Sequence, residues 1–286
     1  MVTRPRPGHA DLSGALKYGL GDIRNVLERA SARETAARVA VGAVAKRFLK
    51  EFEVEIFSHV VRLGGVDAQV DRRTYQQIRK KAELSPLRCA DPKAEAKMIR
   101  LIDRAKAEGD TVGGAIEIVA LNVPVGLGSH VHYDRKLDGR LGSALLSIQA
   151  IKAVEIGAGT KVSEMFGSRL HDRIYYSKSK GFYRKTVRAG GLEGGMTIGG
   201  PLVVRIHMKP LSTLRRPMMS VDIRSKQPFK ATVERSDVSA VPAAGVVGEG
   251  VVAFELARAF LEKFGGDGMV EVKRNFKGYL RQLASF

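Results

Sequence analysis

The residues most able to do chemistry in this 286-residue chain are concentrated in its first forty positions. Residues 4–11 read Arg-Pro-Arg-Pro-Gly-His-Ala-Asp and place His9 in a turn-forming stretch among arginines, and Arg29, Ser31 and Arg33 follow. Guanidinium groups match the geometry of carboxylates and phosphates. An imidazole in a turn suits a proton donor or shuttle near neutral pH. The pattern favours a site that binds an anion and moves a proton, although a single loop histidine is also compatible with no role.

The same arginine-rich stretch also predicts the start of a helix, because Ser31 and Glu34 have the spacing of a capping box. Apolar residues then recur at helical intervals and indicate an amphipathic helix whose core side comprises Val41, Val44, Ala45, Phe48, Leu49 and Phe52. The N–H groups at a helix start bind anions. Two interpretations of this turn stay open: an anion site, or a cap flanked by two solvated arginines.

Three later segments offer further polar groups. A glycine-rich run at residues 189–200 lets backbone approach a ligand closely, but it lacks the order of a dinucleotide fingerprint. Residues 209–213 follow a predicted strand and carry an ammonium and two hydroxyls, which either hold a phosphate or make a turn. Asp237 follows Arg235, and this cation would keep the carboxylate ionised for use as a base, or form only a surface pair.

Residue spacing does not support metal or nucleophilic-triad chemistry. His130 and His132 have no third ligand at a recognisable spacing, and the sequence has no Gly-x-Ser-x-Gly motif. We predict a site without a metal.

The composition points to an anionic partner, since the formal net charge is +18 and the isoelectric point is near 10.1. With no tryptophan and only 6% aromatic residues, we find no aromatic–basic platform of the kind that binds single-stranded nucleic acid. A small, heavily anionic ligand is therefore favoured over nucleic acid. The single cysteine, Cys89, together with the lack of a secretory signal or a long apolar run, predicts a cytoplasmic protein that does not span a membrane.

The order of elements predicts an α+β fold rather than a regular parallel βαβ array. The expected strands are 53–62, 115–123, 202–208 and 219–223. The expected helices are 72–108 with breaks at Pro86 and Pro92, 137–154 and 247–264. Residues 155–200 show no sustained period and are predicted as a functional loop. We expect one domain over residues 1–286 that ends in a basic helical tail at 265–286.

The motifs, taken in order, resemble the chorismate synthase family from about residue 4 to residue 264. The matching runs are Arg-Pro-Gly-His-Ala-Asp at 6–11, Asn-Val-Leu-Glu-Arg-Ala-Ser-Ala-Arg-Glu-Thr at 25–35, Gly-Asp-Thr-Val-Gly-Gly at 109–114, Ser-Ile-Gln-Ala-Ile-Lys at 147–152, Ala-Gly-Gly-Leu-Glu-Gly-Gly at 189–195, Lys-Pro-Leu-Ser-Thr at 209–213 and Glu-Arg-Ser-Asp at 234–237. The resemblance implies helices sandwiched between antiparallel sheets and a homotetramer. It implies a lyase that eliminates phosphate from 5-enolpyruvylshikimate 3-phosphate to give chorismate, with reduced FMN and no net redox change.

The resemblance also assigns roles to residues. It implies that His9 is the histidine beside the flavin that protonates it, and that Asp237 assists removal of the substrate's ring proton through the flavin. It implies that Arg33 and Arg235 contact the anionic substrate. The positions that match flavin contacts are Arg29, Ala30, Ser31, Gln149, Ala150, Gly194, Lys209, Pro210, Leu211, Ser212, Thr213 and Arg235.

Two departures from the family pattern qualify these expectations. Family chains begin with a segment that contains Gly-Glu-Ser-His-Gly, with a second catalytic histidine and arginines for the substrate phosphate and an NADP-type nicotinamide donor, and the printed sequence does not contain it. Ile198 occupies a position that is usually polar. We therefore expect an N-terminally incomplete domain, and the alternative hypothesis is a non-catalytic remnant that binds flavin or polyanions.

Overall fold

The computed structural model describes residues 1–70, 73–234 and 236–286. The α-helices of the described residues are α1 Asp11–Tyr18, α2 Arg24–Arg29, α3 Thr35–Lys50, α4 Tyr75–Leu84, α5 Pro92–Glu108, α6 Leu137–Leu146, α7 Gly167–Leu170, α8 Val241–Phe264 and α9 Met269–Ala284. The strands are β1 Glu55–Leu63, β2 Val66–Asp67, β3 Gly114–Leu121, β4 Ile151–Ile156, β5 Ile174–Ser177, β6 Gly181–Arg184, β7 Leu192–Glu193, β8 Met196–Thr197, β9 Leu202–Met208, β10 Met219–Val221 and β11 Pro228–Lys230. In the part of the chain described here, no helix is both long and apolar enough to span a bilayer.

The largest sheet has five strands in the order β2-β1-β3-β9-β4. β2 pairs antiparallel with β1, with Arg62 opposite Asp67 and Leu63 opposite Val66. Three smaller sheets are antiparallel pairs, namely β5–β6, β7–β8 and β10–β11. These antiparallel pairs and the intervening helices confirm the α+β class.

The chain forms two compact units. The first unit comprises residues 1–35, 60–115 and 208–244, and the second comprises residues 36–59, 116–207 and 245–286. The boundaries fall inside β1, β3 and β9, so each of these strands contributes residues to both units.

The first unit contains the charged helical region of the sequence. Thr74 and Gln77 form a capping box at the start of α4, and Asp91 caps α5 with Pro92 in its first turn. The buried side of these helices comprises Ile78, Ala82, Ala94, Met98 and Ala105. The predicted breaks at Pro86 and Pro92 are confirmed, since α4 ends at Leu84 and α5 begins at Pro92. Proline is tolerated in a helix only in its first turn.

In the second unit, α8 packs on the sheet through glycines. A Cβ at Gly245 would lie 2.6 Å from Ser58 Oγ, and a Cβ at Gly248 would lie 2.5 Å from Ile118 Cδ1. On another side of α8, Gly250 meets Gly42 of α3 so closely that a Cβ at Gly42 would lie 2.3 Å from the Gly250 Cα. Helices approach to this distance only where neither residue has a side chain.

An aromatic cluster closes the same unit. Phe52 and Phe260 lie 4.3 Å apart between ring centroids, and Phe276 of α9 lies 5.3 Å from each of them. Phe48 and Phe264 complete the cluster. The predicted C-terminal tail is helical as expected; Val272 is buried and Phe276 packs in the cluster, whereas Val270 is 86% exposed.

Two predictions about helices are wrong in detail. Val41 and Val44 are 51% and 72% exposed, whereas Ala45 and Leu49 are buried as predicted. The contact between Gly42 and Gly250 determines which side of α3 faces α8, and an apolar periodicity cannot register that contact because glycine has no side chain.

The predicted helix at 137–154 ends at Leu146, and residues 151–156 form β4 instead. Ala150 has a φ of 65°, a left-handed conformation that an α-helix cannot contain. The predicted loop at 155–200 likewise contains the short hairpins β5–β6 and β7–β8. Their strands span four residues or fewer, which is too short for a visible alternation.

Candidate active site

The turn at residues 6–9 in the first unit presents the His9 side chain, which is 19% exposed. Gly8 has a φ of 75°, and the His9 N–H donates to the Arg6 carbonyl at 3.2 Å. His9 Nδ1 lies 2.5 Å from Oδ1 of Asp11, the first residue of α1. The ring is therefore held by a carboxylate two residues further along the chain.

Asp11 and Arg6 form a buried ion pair beneath the histidine. The Arg6 Nε donates to Asp11 Oδ2 at 2.9 Å and its backbone N–H donates to the same oxygen at 3.0 Å. Burial raises the pKa of Asp11, but hydrogen bonds from His9 and Arg6 outweigh it, so that the pKa lies well below its ordinary value. The carboxylate is charged at neutral pH.

Two further bonds join this turn to residues 209–213. Arg6 Nη1 donates to Thr213 Oγ1 at 2.9 Å, and Lys209 Nζ donates to the Gly8 carbonyl. A Cβ at Gly8 would lie 3.6 Å from both Lys209 Nζ and Ser212 Cβ. The Arg-Pro-Gly-His motif and the Lys-Pro-Leu-Ser-Thr motif, about two hundred residues apart, are therefore directly in contact.

Residues 109–114 and 236–238 complete the cluster. Thr111 Oγ1 donates to the Leu211 carbonyl at 2.7 Å, and Ser236 Oγ donates to the Thr213 carbonyl at 2.8 Å. The Val112 N–H donates to the Val238 carbonyl at 2.9 Å. Asp237, exposed, lies between the two anchored residues 236 and 238. The predicted base is thus brought to the same part of the unit as His9.

Gly113 is required by this arrangement. A Cβ at Gly113 would lie 2.3 Å from the Met208 carbonyl oxygen and 2.8 Å from the Pro210 nitrogen. Any other residue would push residues 208–210 away, which explains the first glycine of the pair; a Cβ at Gly114 would lie 2.2 Å from the Arg62 carbonyl oxygen, which explains the second.

A cavity of about 400 Å³ lies between α1 and α2 and contains two of the predicted cofactor positions. Arg29 and Ala30 line one side, and Ala10, Ser13 and Lys17 line the other. Ala10, which follows His9 directly in the sequence, is the lining residue nearest to it along the chain; His9 itself does not line the cavity.

The turn at Ser31 differs from the predicted capping box. Ser31 caps a 3-10 turn at Ala32–Glu34, and its Oγ accepts from the Arg33 N–H at 3.3 Å; α3 begins only at Thr35. The Arg33 side chain is 85% exposed and lies 3.4 Å from Glu28. Arg33 is therefore mostly in solvent, with one surface carboxylate as its partner.

Four predicted positions fall elsewhere. Gln149 and Ala150 lie at the turn before β4, and Gly194 lies between β7 and β8 with a φ of 60°, all in the second unit. Arg235 lies outside the described residues. Their contacts with cofactor and substrate stay predictions.

The N-terminal residues are held by main-chain hydrogen bonds rather than free. The Ile23 N–H donates to the Val2 carbonyl at 2.9 Å, and the Ile223 N–H donates to the Thr3 carbonyl at 2.9 Å. Ser220 Oγ donates to the Pro5 carbonyl at 2.6 Å. This anchoring places the His9 turn.

Sequence reasoning missed three residues of this cluster: Arg6, Asp11 and Thr111. Arg6 and Asp11 are in the quoted motif but received no role of their own. A carboxylate two residues after a turn histidine is a usable signal, because a turn brings such side chains within hydrogen-bond reach. Thr111 gave no such signal, since its partner is a carbonyl one hundred residues away.

The side chains of this site have the chemistry that an anionic ligand requires. Within the first unit the site combines an imidazole, an ammonium, guanidinium groups and two hydroxyls, which together suit an anionic, phosphate-bearing ligand and one proton transfer. The fold and the site define an α+β protein with a cationic site that contains a histidine.

Comparison with known proteins identifies the family. The family model described as chorismate synthase matches residues 1–261. A chorismate synthase of Geobacter metallireducens is 56% identical over 292 residues, which covers all of this chain and 74% of the relative. One from Symbiobacterium thermophilum is 57% identical, covering 99% and 72%. A crystal structure of chorismate synthase superposes with a TM-score of 0.83 at 46% identity, covering 97% of this chain and 77% of the other. The chain belongs to the chorismate synthase family.

Proposed function

We propose that this chain is a lyase that eliminates phosphate from 5-enolpyruvylshikimate 3-phosphate to give chorismate, with reduced FMN bound. In this reaction a ring C–H bond and the C–O bond to phosphate break, a proton and inorganic phosphate leave, and a new double bond forms. The observation that carries the proposal is that hydrogen bonds link residues 6–9, which include His9, to residues 209–213, and these in turn to residues 236–238. Family membership supports it independently.

The residues present fit the cofactor. FMN brings a phosphate and a polar ring edge, and Lys209, Ser212 and Thr213 supply an ammonium and two hydroxyls beside the His9 turn. The α1–α2 cavity adds Arg29 and Ala30. We propose that these residues hold FMN together with Ser31, Pro210 and Leu211, and with Gln149, Ala150, Gly194 and Arg235. When bound, the reduced flavin would supply an electron-rich ring that assists C–O cleavage without net redox change.

Each chain residue has one task in this proposal. His9 holds and delivers a proton at a ring nitrogen, and Asp237 accepts one as an ionised carboxylate. Arg33 and Arg235 attract the substrate's phosphate and carboxylates, and cationic groups near the leaving phosphate stabilise the charge that develops there. The Arg33 side chain is exposed, so a ligand that enters from solvent can reach it.

The test uses the purified chain with reduced FMN and 5-enolpyruvylshikimate 3-phosphate under anaerobic conditions. Formation of chorismate and stoichiometric phosphate release are expected. If FMN binds saturably but neither product forms, the alternative of a non-catalytic flavin-binding protein replaces the proposal. If FMN does not bind, the assignment of the site is wrong as well.

Two further predictions go with this function. We propose a homotetramer, supported by the exposed apolar side chains of α3 and α8, among them Val44 and Phe254. We also propose a cytoplasmic location, supported by the single, unpaired Cys89.

A further inference from the structure

Asp11 contacts the proposed proton donor, yet the reaction above gives it no task. We propose that Asp11 is a positioning residue that keeps the His9 proton on Nδ1 and so makes Nε2 the ring nitrogen that exchanges protons with bound ligand. The inference rests on the function proposed for His9, but its first test does not depend on catalysis.

The distances identify which ring nitrogen faces the carboxylate. His9 Nδ1 is 2.5 Å from Asp11 Oδ1, a short contact that requires a proton between the two atoms. Asp11 is ionised, because its pKa lies below the ordinary value, so the proton belongs to Nδ1. In the neutral ring the lone pair is then on Nε2.

Arg6 contacts both ring nitrogens and does not select between them. Its Nη2 lies 3.2 Å from Nδ1 and 3.3 Å from Nε2. A guanidinium only donates, so in the neutral ring it can bond only to the nitrogen that has no proton, and Asp11 makes that nitrogen Nε2. Arg6 also binds the carboxylate, through Nε to Oδ2 and through Nη2 to Oδ1 at 3.2 Å.

Burial makes the orientation rigid. The Asp11 side chain is 1% exposed and the Arg6 side chain is 7% exposed. Oδ2 accepts two Arg6 donors, and Oδ1 accepts one from Arg6 Nη2 in addition to its short contact with the imidazole. Since Arg6 also binds the Thr213 hydroxyl, one buried arginine fixes the carboxylate, and hence the ring, relative to the predicted FMN segment.

The same contacts predict what an amide would do. In Asp11→Asn the oxygen would occupy the Oδ2 position, where it accepts the two Arg6 donors, and the NH2 group would face His9. An NH2 group donates, so Nδ1 would become the acceptor and the ring proton would move to Nε2. The substitution therefore keeps the size of the side chain and reverses the tautomer, and it also removes the bond that Arg6 Nη2 donates to Oδ1.

The first experiment determines the tautomer of His9 in the wild-type protein. Ring ¹⁵N chemical shifts of the His9 imidazole in its neutral form should show a protonated Nδ1 and an unprotonated Nε2. The opposite tautomer would overturn the proposal without any variant. This measurement also holds if Asp11→Asn does not fold.

The second experiment compares Asp11→Asn with Asp222→Asn. Asp222 lies in the same unit and accepts a hydrogen bond from the Thr3 hydroxyl at 2.6 Å, so its amide is a matched control with no contact to His9. We expect Asp11→Asn to carry the Nε2–H tautomer and to lose about 10²–10⁴-fold in kcat, the range of a general acid–base group. KM should change less than threefold, and Asp222→Asn should match the wild type.

The outcomes separate the two proposals. If Asp11→Asn folds with the Nδ1–H tautomer and normal kcat, Asp11 is only the counter-ion of Arg6 and the inference fails. If the wild-type chain forms no chorismate while His9 has the Nδ1–H tautomer and Asp11→Asn reverses it, the proposed function fails and the positioning of His9 stands.

Discussion

At the scale of single residues, the site depends on charges that are buried in pairs. Asp11 and Arg6 are both removed from water, and an isolated charge at that depth would be costly. Their mutual hydrogen bonds, with His9 and Thr213 at either end, satisfy the polar groups that the turn encloses. The histidine therefore extends from a rigid polar base, whereas Arg33 and Asp237 project into solvent.

His9→Gln tests the proton transfer directly. Glutamine retains hydrogen-bonding capacity but cannot gain or lose a proton near neutral pH, so we predict a loss of about 10²–10⁴-fold in kcat. The measurement is steady-state chorismate formation with saturating reduced FMN. His132→Gln, at an exposed position, is the matched control, and equal losses in both variants would contradict the assignment.

The Asp11 carboxylate also predicts an acid limit on stability. Its pKa is lower in the folded protein than in the unfolded chain, so its contribution is complete above the ordinary aspartate pKa of about 4 and is lost as the pH falls below it. The slope for one proton is at most about 1.4 kcal/mol per pH unit. Urea unfolding between pH 5 and 3 should show a shallower pH dependence in Asp11→Asn than in the wild type. Equal slopes would contradict the lowered pKa.

At the scale of elements, the closest contacts between segments are made at glycines, where the absence of a side chain lets two backbones touch. Gly113 admits the carbonyl of Met208, and Gly42 admits the backbone of α8 at Gly250. The first contact brings the 109–114 loop onto the 209–213 segment, and the second fixes which side of α3 is buried. These two glycines therefore set the distance between the 109–114 loop and residues 209–213, and between α3 and α8.

Gly42→Ala tests the second contact. The Cβ would lie 2.3 Å from the Gly250 Cα, and backbone cannot rotate away as a side chain can. We predict a loss of about 1–3 kcal/mol in the free energy of unfolding, the usual cost of overpacking. Gly142→Ala in α6 is the control, since its Cβ meets nothing within 4 Å, and helix propensity predicts a gain of up to about 1 kcal/mol. Urea unfolding gives the free energy of unfolding of both variants. A similar change in Gly42→Ala and Gly142→Ala would contradict the packing argument.

At the scale of the whole molecule, the net charge of +18 is consistent with the cationic site but is not explained by it alone. Many arginines are paired on the surface, for example Arg24 and Arg33 with Glu28, and such exposed pairs add little stability. The prediction of one domain stays a prediction, because the described residues form two compact units.

Assembly can be tested at α3. Val44 is 72% exposed and Val41 is 51% exposed, although the apolar periodicity of α3 predicts that both are buried. If the homotetramer buries this side, Val44→Glu should shift the molecular mass in light scattering toward smaller species. Lys50→Glu, also exposed on α3, is the matched control. An unchanged mass for Val44→Glu would exclude this side of α3 from the interface.

The family, the α+β class and most strands and long helices could be predicted from the sequence, because motif order, apolar periodicity and helix breakers are local properties of the chain; the role of His9 stays a prediction. The tertiary structure decided the rest. It showed that Asp11 and Arg6 support His9, that residues 109–114 pack on 209–213, and that Val41 and Val44 face outward. The loop packing depends on residues one hundred positions apart, and the exposure of the valines depends on glycines that leave no apolar signal. Asp11 and Arg6 are close to His9 in the sequence, but their distances and their burial depend on the folded turn. Such contacts exist only once the chain has folded.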